Sequence, residues 1–436
     1  MKKALSLLLA ALMLFSLVAC AAEPAATPEA PADAPIEAPT ETPETPVEEP
    51  AEAPVEDPAP EPEPEPEPEP YSDFTVVTQV FDGGQAVTHL ILNMLEEITA
   101  EDIVVKDIKV RAEHVDTKRR ITDAYPSDAE GNPLERGSYL TLELVHDYMG
   151  FGFSNDSSTM YYSMSTWTNV LYELDHTVTI GDKLFTQGKI VNLLEDEFSF
   201  ETSQSGLNYR LYSPAEAEAS ARPLIIWLHG MGEGGSDNRL QIIGNKACNF
   251  GSAEIQAYFG GAYVAAPQCP DFWAGNFGFG NRSPYADDMI SLIEEVIANN
   301  NVDPSRVYVG GCSMGGYMTW QTILAKPELF AAAFPVCAAY APTAADAQLI
   351  AENGLPVWVV YSADDTTVNP DEFPRASVAA LEAAGADVRV TEFEHVQEDG
   401  ITYNGHYSWI YVYNNHVSDE AGTTIMEWMA AQTRGK

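Results

Sequence analysis

The chain is poor in positive charge. Lysine and arginine total 22 against 66 aspartates and glutamates, a formal net charge of −44 over 436 residues. That sign disfavours nucleic acid and other anionic polymers as partners. Cysteine is also scarce. Five occur, at positions 20, 248, 269, 312 and 337, with no CxxC pair and no Cys/His grouping at zinc spacing, so no metal site is expected. Cys248, Cys269, Cys312 and Cys337 are expected as free thiols, although an extracellular setting permits a disulfide. Cys312 and Cys337 read as small buried hydrophobes on strands. The leading apolar run, Ala4 to Ala19, is short for a bilayer span, which needs about 20 residues.

Residues 1–20 do have a recognisable layout. Lys2 and Lys3 give a basic start, the apolar run follows, and Leu17-Val18-Ala19-Cys20 ends it. This is the pattern of a secretory signal. The four closing residues resemble the lipobox of bacterial lipoproteins. That resemblance implies lipidation at Cys20, with the protein anchored to the outer face of the cell membrane. Residues 21–70 hold 16 prolines and 16 acidic residues, with no lysine or arginine. Such a stretch has too little apolar material to offset ordering entropy. Proline and like charges make it extended, so it reads as a disordered spacer. From residue 71 onward 50 acidic residues face 20 basic ones, a net of −30.

Two rhythms follow. Over 71–194 short alternating runs such as "FTVVTQVF", "AVTHLILNM", "IVVKDIKVRAE", "SYLTLELVH" and "HTVTIGDKLF" are separated by turns at Asp82-Gly83-Gly84 and Glu130-Gly131-Asn132-Pro133. This predicts an all-β sandwich. His89, His114, His146 and His176 are scattered through it and form no catalytic constellation. The segment resembles, in its arrangement, the immunoglobulin-like domain that precedes certain bacterial esterases. Its role is left open between shaping a cleft, oligomerisation and spacing.

Over 195–436 the apolar runs "PLIIWLHG", "AYVAAPQ", "RVYVGGCS", "FAAAFPVCA", "LPVWVVYSADD" and "DVRVTEF" alternate with helix-like segments. In "ADDMISLIEEVIANN", Met289, Leu292, Ile293, Val296 and Ile297 share one helical face. Continuous apolar strands between amphipathic helices predict an α/β domain, a mostly parallel doubly wound sheet covered on both faces.

Within it, Gly311-Cys312-Ser313-Met314-Gly315 fits G-x-S-x-G between a strand and a helix. A sharp strand-to-helix turn would lift the Ser313 hydroxyl off the sheet, with the helix N-terminus behind it. Serine at its ordinary pKa needs a base, and acid and histidine follow in the expected order, at Asp364-Asp365 and among His395, His406 and His416. The Met314 N–H, next after the nucleophile, is the expected oxyanion donor.

The pieces "LHGMGEGG", "APQCP", "VDPSRVYVGGCSMGGYMTW", "SADDTTVNP" and "GHYSW" resemble the α/β-hydrolase superfamily. The likeness is to its branch of secreted esterases and polyester depolymerases, which is itself similar to prolyl-oligopeptidase-like peptidases. One departure is Tyr361-Ser362, where that branch often carries His-Gly. The resemblance implies a triad of Ser313, Asp365 (three residues before Val368) and His406. It also implies a second oxyanion donor at the Met231 N–H, with His229 orienting that loop. Phe272 and Trp273, with Phe277 and Phe279, sit in the glycine-spaced "CPDFWAGNFGFGNRSPY" and are candidates for an aromatic substrate wall, as is Trp409 beside Tyr407. Packing on the domain body is the competing reading for them. The implied reaction is acyl transfer to water on a short-chain or aromatic ester, such as a feruloyl or acetyl sugar, with no cofactor. A peptidase using the same triad, and a surface-binding lipoprotein with an inert hydrolase half, are the alternatives.

Overall fold

The computed structural model describes residues 69–435 apart from 149–152, 216, 218, 276, 277 and 279. The signal-like segment with Cys20, nearly all of the Pro/Glu spacer, and Phe277 and Phe279 lie outside the described residues.

The first domain is one continuous ladder of eight strands. In spatial order they are Thr117–Arg119, Ile108–Ala112, His176–Ile180, Lys183–Asn192, Ser72–Phe81, Gly84–Thr99, Arg136–Leu144 and Ile121–Ser127. The first strand in sequence pairs in parallel with the last, Ser72 opposite Phe185, while its other neighbour is antiparallel through the Asp82-Gly83 turn. Phe74, Leu90, Leu92, Val110, Leu142, Val178 and Phe185 form a single apolar cluster. It draws on both halves of the ladder, so the sheet folds over on itself. The stretch "IVVKDIKVRAE", expected as one strand, begins with a 3-10 turn at Val105–Asp107 and becomes extended only at Ile108–Ala112. A separate hairpin, Met160–Ser163 with Thr168–Leu171, projects from this domain.

The second sheet starts at Phe198. Its order is Phe198–Thr202, Asn208–Tyr212, Tyr263–Gln268, Arg222–Leu228, Val302–Cys312, Ala332–Val336, Val357–Ser362 and Val388–Phe393. The first two strands are antiparallel, and the remaining six run parallel. Strand Arg222–Leu228 shows why both faces are covered. Ile225 and Trp227 enter one core cluster, and Leu224, Ile226 and Leu228 enter another. Successive side chains of a strand point to opposite faces, so an unbroken apolar run must be buried twice. On one of those faces helix Ala286–Asn299 buries Met289, Leu292, Ile293 and Val296.

The domains share their packing. Val80 and Met160 of the first domain belong to a core cluster of the second. Between the sheets, Glu195 is almost fully buried. It accepts hydrogen bonds from Gln85 of the first domain (2.6 Å) and from Arg239 of the second (2.6 and 3.0 Å). Arg210, equally buried, lies 3.7 Å away and donates to the Glu195 carbonyl at 2.7 Å. An apolar contact combined with a buried charged clamp fixes one domain on the other.

Candidate active site

The strand Val302–Cys312 ends where the helix Met314–Ala325 begins, and Ser313 alone makes the turn. Its backbone has φ 56 and ψ −114, a conformation L-residues seldom adopt. The Ser313 N–H donates to the Val336 carbonyl (2.9 Å), and its own carbonyl accepts from the Tyr317 N–H (3.0 Å). The flanking glycines are there for close approach. A Cβ on Gly311 would come within 2.5 Å of the Leu228 carbonyl oxygen, and one on Gly315 within 1.9 Å.

Three side chains converge on this turn. Ser313 Oγ lies 2.9 Å from Nε2 of His406, and Nδ1 of His406 lies 2.7 Å from Oδ2 of Asp365. Asp365 follows strand Val357–Ser362, and its other oxygen accepts from the Thr367 and Val368 N–H groups, both at 2.8 Å. These bonds fix the carboxylate and leave Oδ2 for the imidazole. Nδ1 then carries the proton, and Nε2 is free to accept from the serine. The His406 N–H is itself anchored to Asn404 Oδ1 at 2.9 Å. Asp364 points elsewhere, to Ser362 Oγ and to the exposed His395 at 3.0 Å. His416 pairs with Glu398 at 2.8 Å. The alternation at Asp364-Asp365 thus sends one carboxylate to each of two histidines, and only Asp365 reaches the one beside Ser313.

The loop after strand Arg222–Leu228 faces the serine. His229 is buried, with Nδ1 2.6 Å from the Gly230 carbonyl and Nε2 accepting from the Cys269 N–H at 2.9 Å. That pair of contacts requires the neutral Nδ1–H tautomer. Burial agrees, pushing the His229 pKa down to about 4. With the Gly230 carbonyl held by His229, the trans peptide directs the Met231 N–H the opposite way. Met231 opens one helical turn and Met314 another, so both N–H groups lack acceptors within their own helices. Cys312 and Cys337 are buried free thiols close by. Burial holds each pKa well above the ordinary thiol value, which keeps them un-ionised and poor nucleophiles.

Trp273 and Phe272, in the segment after strand Tyr263–Gln268, are not among the residues that line the cavity. Trp273 is fully buried, its indole N–H donates to the His229 carbonyl (3.1 Å), and its ring lies 5.1 Å from the His229 imidazole. Phe272 packs on the same core. An indole with a polar edge satisfies it when buried, and here the acceptor is the backbone of the loop that faces the serine. Trp409 does line the cavity, edge-on to His406 at 5.3 Å.

That cavity is about 730 Å³, and both domains build it. Ser313, His406, Tyr407 and Trp409 form one side, while Tyr148, Phe153, Tyr161, Tyr162, Trp167 and Tyr172 come from the first domain. Among the described lining residues there is no lysine or arginine. Burial pushes the Tyr162 and Tyr407 phenols up to about 12, so they remain neutral hydroxyls. Sequence reasoning passed over this aromatic group. The only signal was local density: two tyrosines and a tryptophan around a Ser/Thr-rich hairpin, "YYSMSTWTN".

Comparison with known proteins agrees with this construction. Residues 73–192 match the esterase Ig-like N-terminal domain family, and residues 275–391 match the prolyl oligopeptidase family. The chain is a serine hydrolase of the α/β-hydrolase superfamily. A solved structure of a thermostable esterase is similar to it at 29% identity and TM-score 0.71, over 83% of this chain and 100% of that one. A ferulic acid esterase (12% identity, TM-score 0.38, 53% and 96% covered) and an acylaminoacyl peptidase (14%, 0.37, 61% and 47%) are likenesses too weak to bear on function. No curated relative matches the chain. In this serine hydrolase the family match to residues 73–192 falls on the domain that walls the cavity.

Proposed function

We propose that the chain is a carboxylic-ester hydrolase that works through an acyl-enzyme on Ser313. The observation that carries this is the continuous Ser313–His406–Asp365 relay, at 2.9 and 2.7 Å, opening on a cavity walled by neutral aromatic rings. His406 takes the Ser313 proton as the oxygen attacks the ester carbonyl carbon. The carbonyl π electrons move to oxygen, where the Met231 and Met314 N–H groups receive the charge. Loss of one such donor typically costs about 2.7–4 kcal/mol. The intermediate then collapses, and His406 returns the proton to the departing alcohol. Water, deprotonated by His406, next releases the carboxylic acid and restores the serine. Asp365 holds the tautomer and stabilises the transient imidazolium.

The preferred substrates are short-chain or aromatic esters, feruloyl and acetyl sugars among them. Rings stack on rings, and tyrosine hydroxyls can bond to sugar or phenol groups. The likeness to a thermostable esterase supports ester over amide. The match of residues 275–391 to the prolyl oligopeptidase family favours a peptidase as second reading. A panel of p-nitrophenyl acetate and butyrate, feruloyl and acetyl sugar esters and a proline-peptide anilide separates the two. Ester turnover that survives Ser313→Ala would remove the proposal. We also propose that Cys20 carries the lipid that tethers the enzyme outside the cell. Cys20→Ala should then release it into the medium, and continued membrane retention counts against the tether.

A further inference from the structure

One buried acid in the site is outside the relay. Glu233 closes the turn Met231–Glu233, borders the cavity, and is 6% exposed. Its side chain folds back beneath its own loop. A Cβ on Gly230 would lie 3.2 Å from Glu233 Oε2, and one on Gly244 would lie 2.8 Å from Glu233 Cγ. Both glycines have ordinary negative φ values, −74 and −65, so what they supply here is space. Among the described residues, Glu233 Oε2 has no hydrogen-bond partner.

Among the described residues, no lysine or arginine pairs with it. Facing Glu233 are the Cys312 thiol from the nucleophile strand, the Tyr162 phenol from the hairpin, and the Tyr407 and Tyr413 phenols from the turn and helix around His406. The Gly230 N–H and the Asn245 side chain favour the charged form, but burial outweighs them and raises the pKa to about 7. A carboxylate here would also add negative charge beneath the loop that carries the Met231 N–H, where little water screens it.

We propose that Glu233 is a positioning residue of the oxyanion hole: with His229 it holds Gly230 from two sides, the imidazole at the Gly230 carbonyl and the Glu233 carboxyl at the Gly230 N–H, and it does so as the uncharged acid. The inference rests on the esterase reading. It adds a consequence that the relay alone does not have. Activity falls as Glu233 loses its proton.

The test uses the whole chain, with p-nitrophenyl butyrate from about pH 5.5 to 9.5 and background hydrolysis subtracted. Wild type should lose kcat above about pH 7. Glu233→Gln should keep kcat within about threefold at neutral pH and abolish the alkaline fall, because an amide fills the same space and does not ionise. Glu233→Ala should lower kcat about 10- to 100-fold with KM within about threefold. A wild-type rate that stays flat above neutral pH overturns the proposal. So does Glu233→Gln that keeps the alkaline fall or is as slow as Glu233→Ala, and so does Glu233→Ala with wild-type kcat. A second measurement does not depend on turnover. Because the folded-state pKa is raised, the folded protein binds more protons than the unfolded chain between the ordinary carboxyl value and about 7, so its stability falls as pH rises through that window. Wild type should therefore lose Tm relative to Glu233→Gln between about pH 5 and 8, and parallel Tm curves overturn the uncharged state. A wild type without Ser313-dependent ester turnover defeats the esterase reading, while the Tm comparison still decides the state of Glu233.

Discussion

The two domains reach the same cavity by different means. The second domain delivers its reactive groups through backbone geometry: Ser313, Asp365 and the loop of Met231 each stand just past the C-terminal end of a parallel strand. The first domain delivers rings on a hairpin and loops, with no conformational signature shared among them beyond proximity. Chemistry demands fixed distances between a few atoms. A wall demands only that surfaces meet, and many sequences can satisfy that.

The largest effect should come from the relay. Asp365→Asn should cut kcat by about 10⁴, since the amide stabilises the wrong imidazole tautomer. Asp364→Asn, one residue away, weakens an exposed pair with His395 and the hydrogen bond from Ser362 Oγ, and should leave kcat within about twofold. Steady-state kinetics on the two variants decide it. Equal losses would mean that the two carboxylates share the role, and the strict placement attributed to the second domain would fail.

The difference between the domains also explains what could be read in advance. Ser313 is legible because the turn it makes tolerates only glycine at 311 and 315, so the geometry is written as a local pattern. The doubly covered sheet is legible because strand Arg222–Leu228 must be apolar on both sides. Asp365 against Asp364 was not settled by the residues alone and needed a family spacing. Trp273 was ambiguous because burial and substrate contact favour the same side chain, and its indole went to the His229 carbonyl. Tyr162 and Trp167 were passed over because their partners lie more than 60 residues later, on the Met231 loop, and more than 230 residues later, on the His406 loop. Glu233 looked like one more acid in an acidic chain, and only its enclosure by Gly230 and Gly244 distinguishes it.

A middle-sized effect should appear at the joint. Glu195→Ala removes the shared acceptor of Gln85 and Arg239 and leaves Arg210 buried without its nearby carboxylate. Breaking a buried pair from one side costs about 3–5 kcal/mol. Thermal unfolding should show that loss. KM should rise as well, because the first domain's rings are no longer held over Ser313. A variant with lowered Tm and unchanged KM would show that the hairpin keeps its place through the apolar contact of Val80 and Met160 alone.

The smallest effect tests the wall itself, and it turns on one residue. Trp167 sits in the hairpin turn with φ 62, in the left-handed region that favours glycine, and its N–H donates to the Ser163 carbonyl at 2.8 Å. A large side chain there opposes the backbone preference, yet its ring borders the cavity and is only half-buried. Local folding would do better with glycine, so the ring's contribution must lie in what the cavity holds. Trp167→Gly should therefore leave Tm unchanged or slightly raised. A ring contact is worth about 0.5–1.5 kcal/mol, so KM for a feruloyl ester should rise about 2- to 12-fold, with kcat for acetate nearly unchanged. If Tm drops instead and the feruloyl-to-acetate ratio holds, the ring is packing for the hairpin, and the first domain covers the cavity without selecting what enters it.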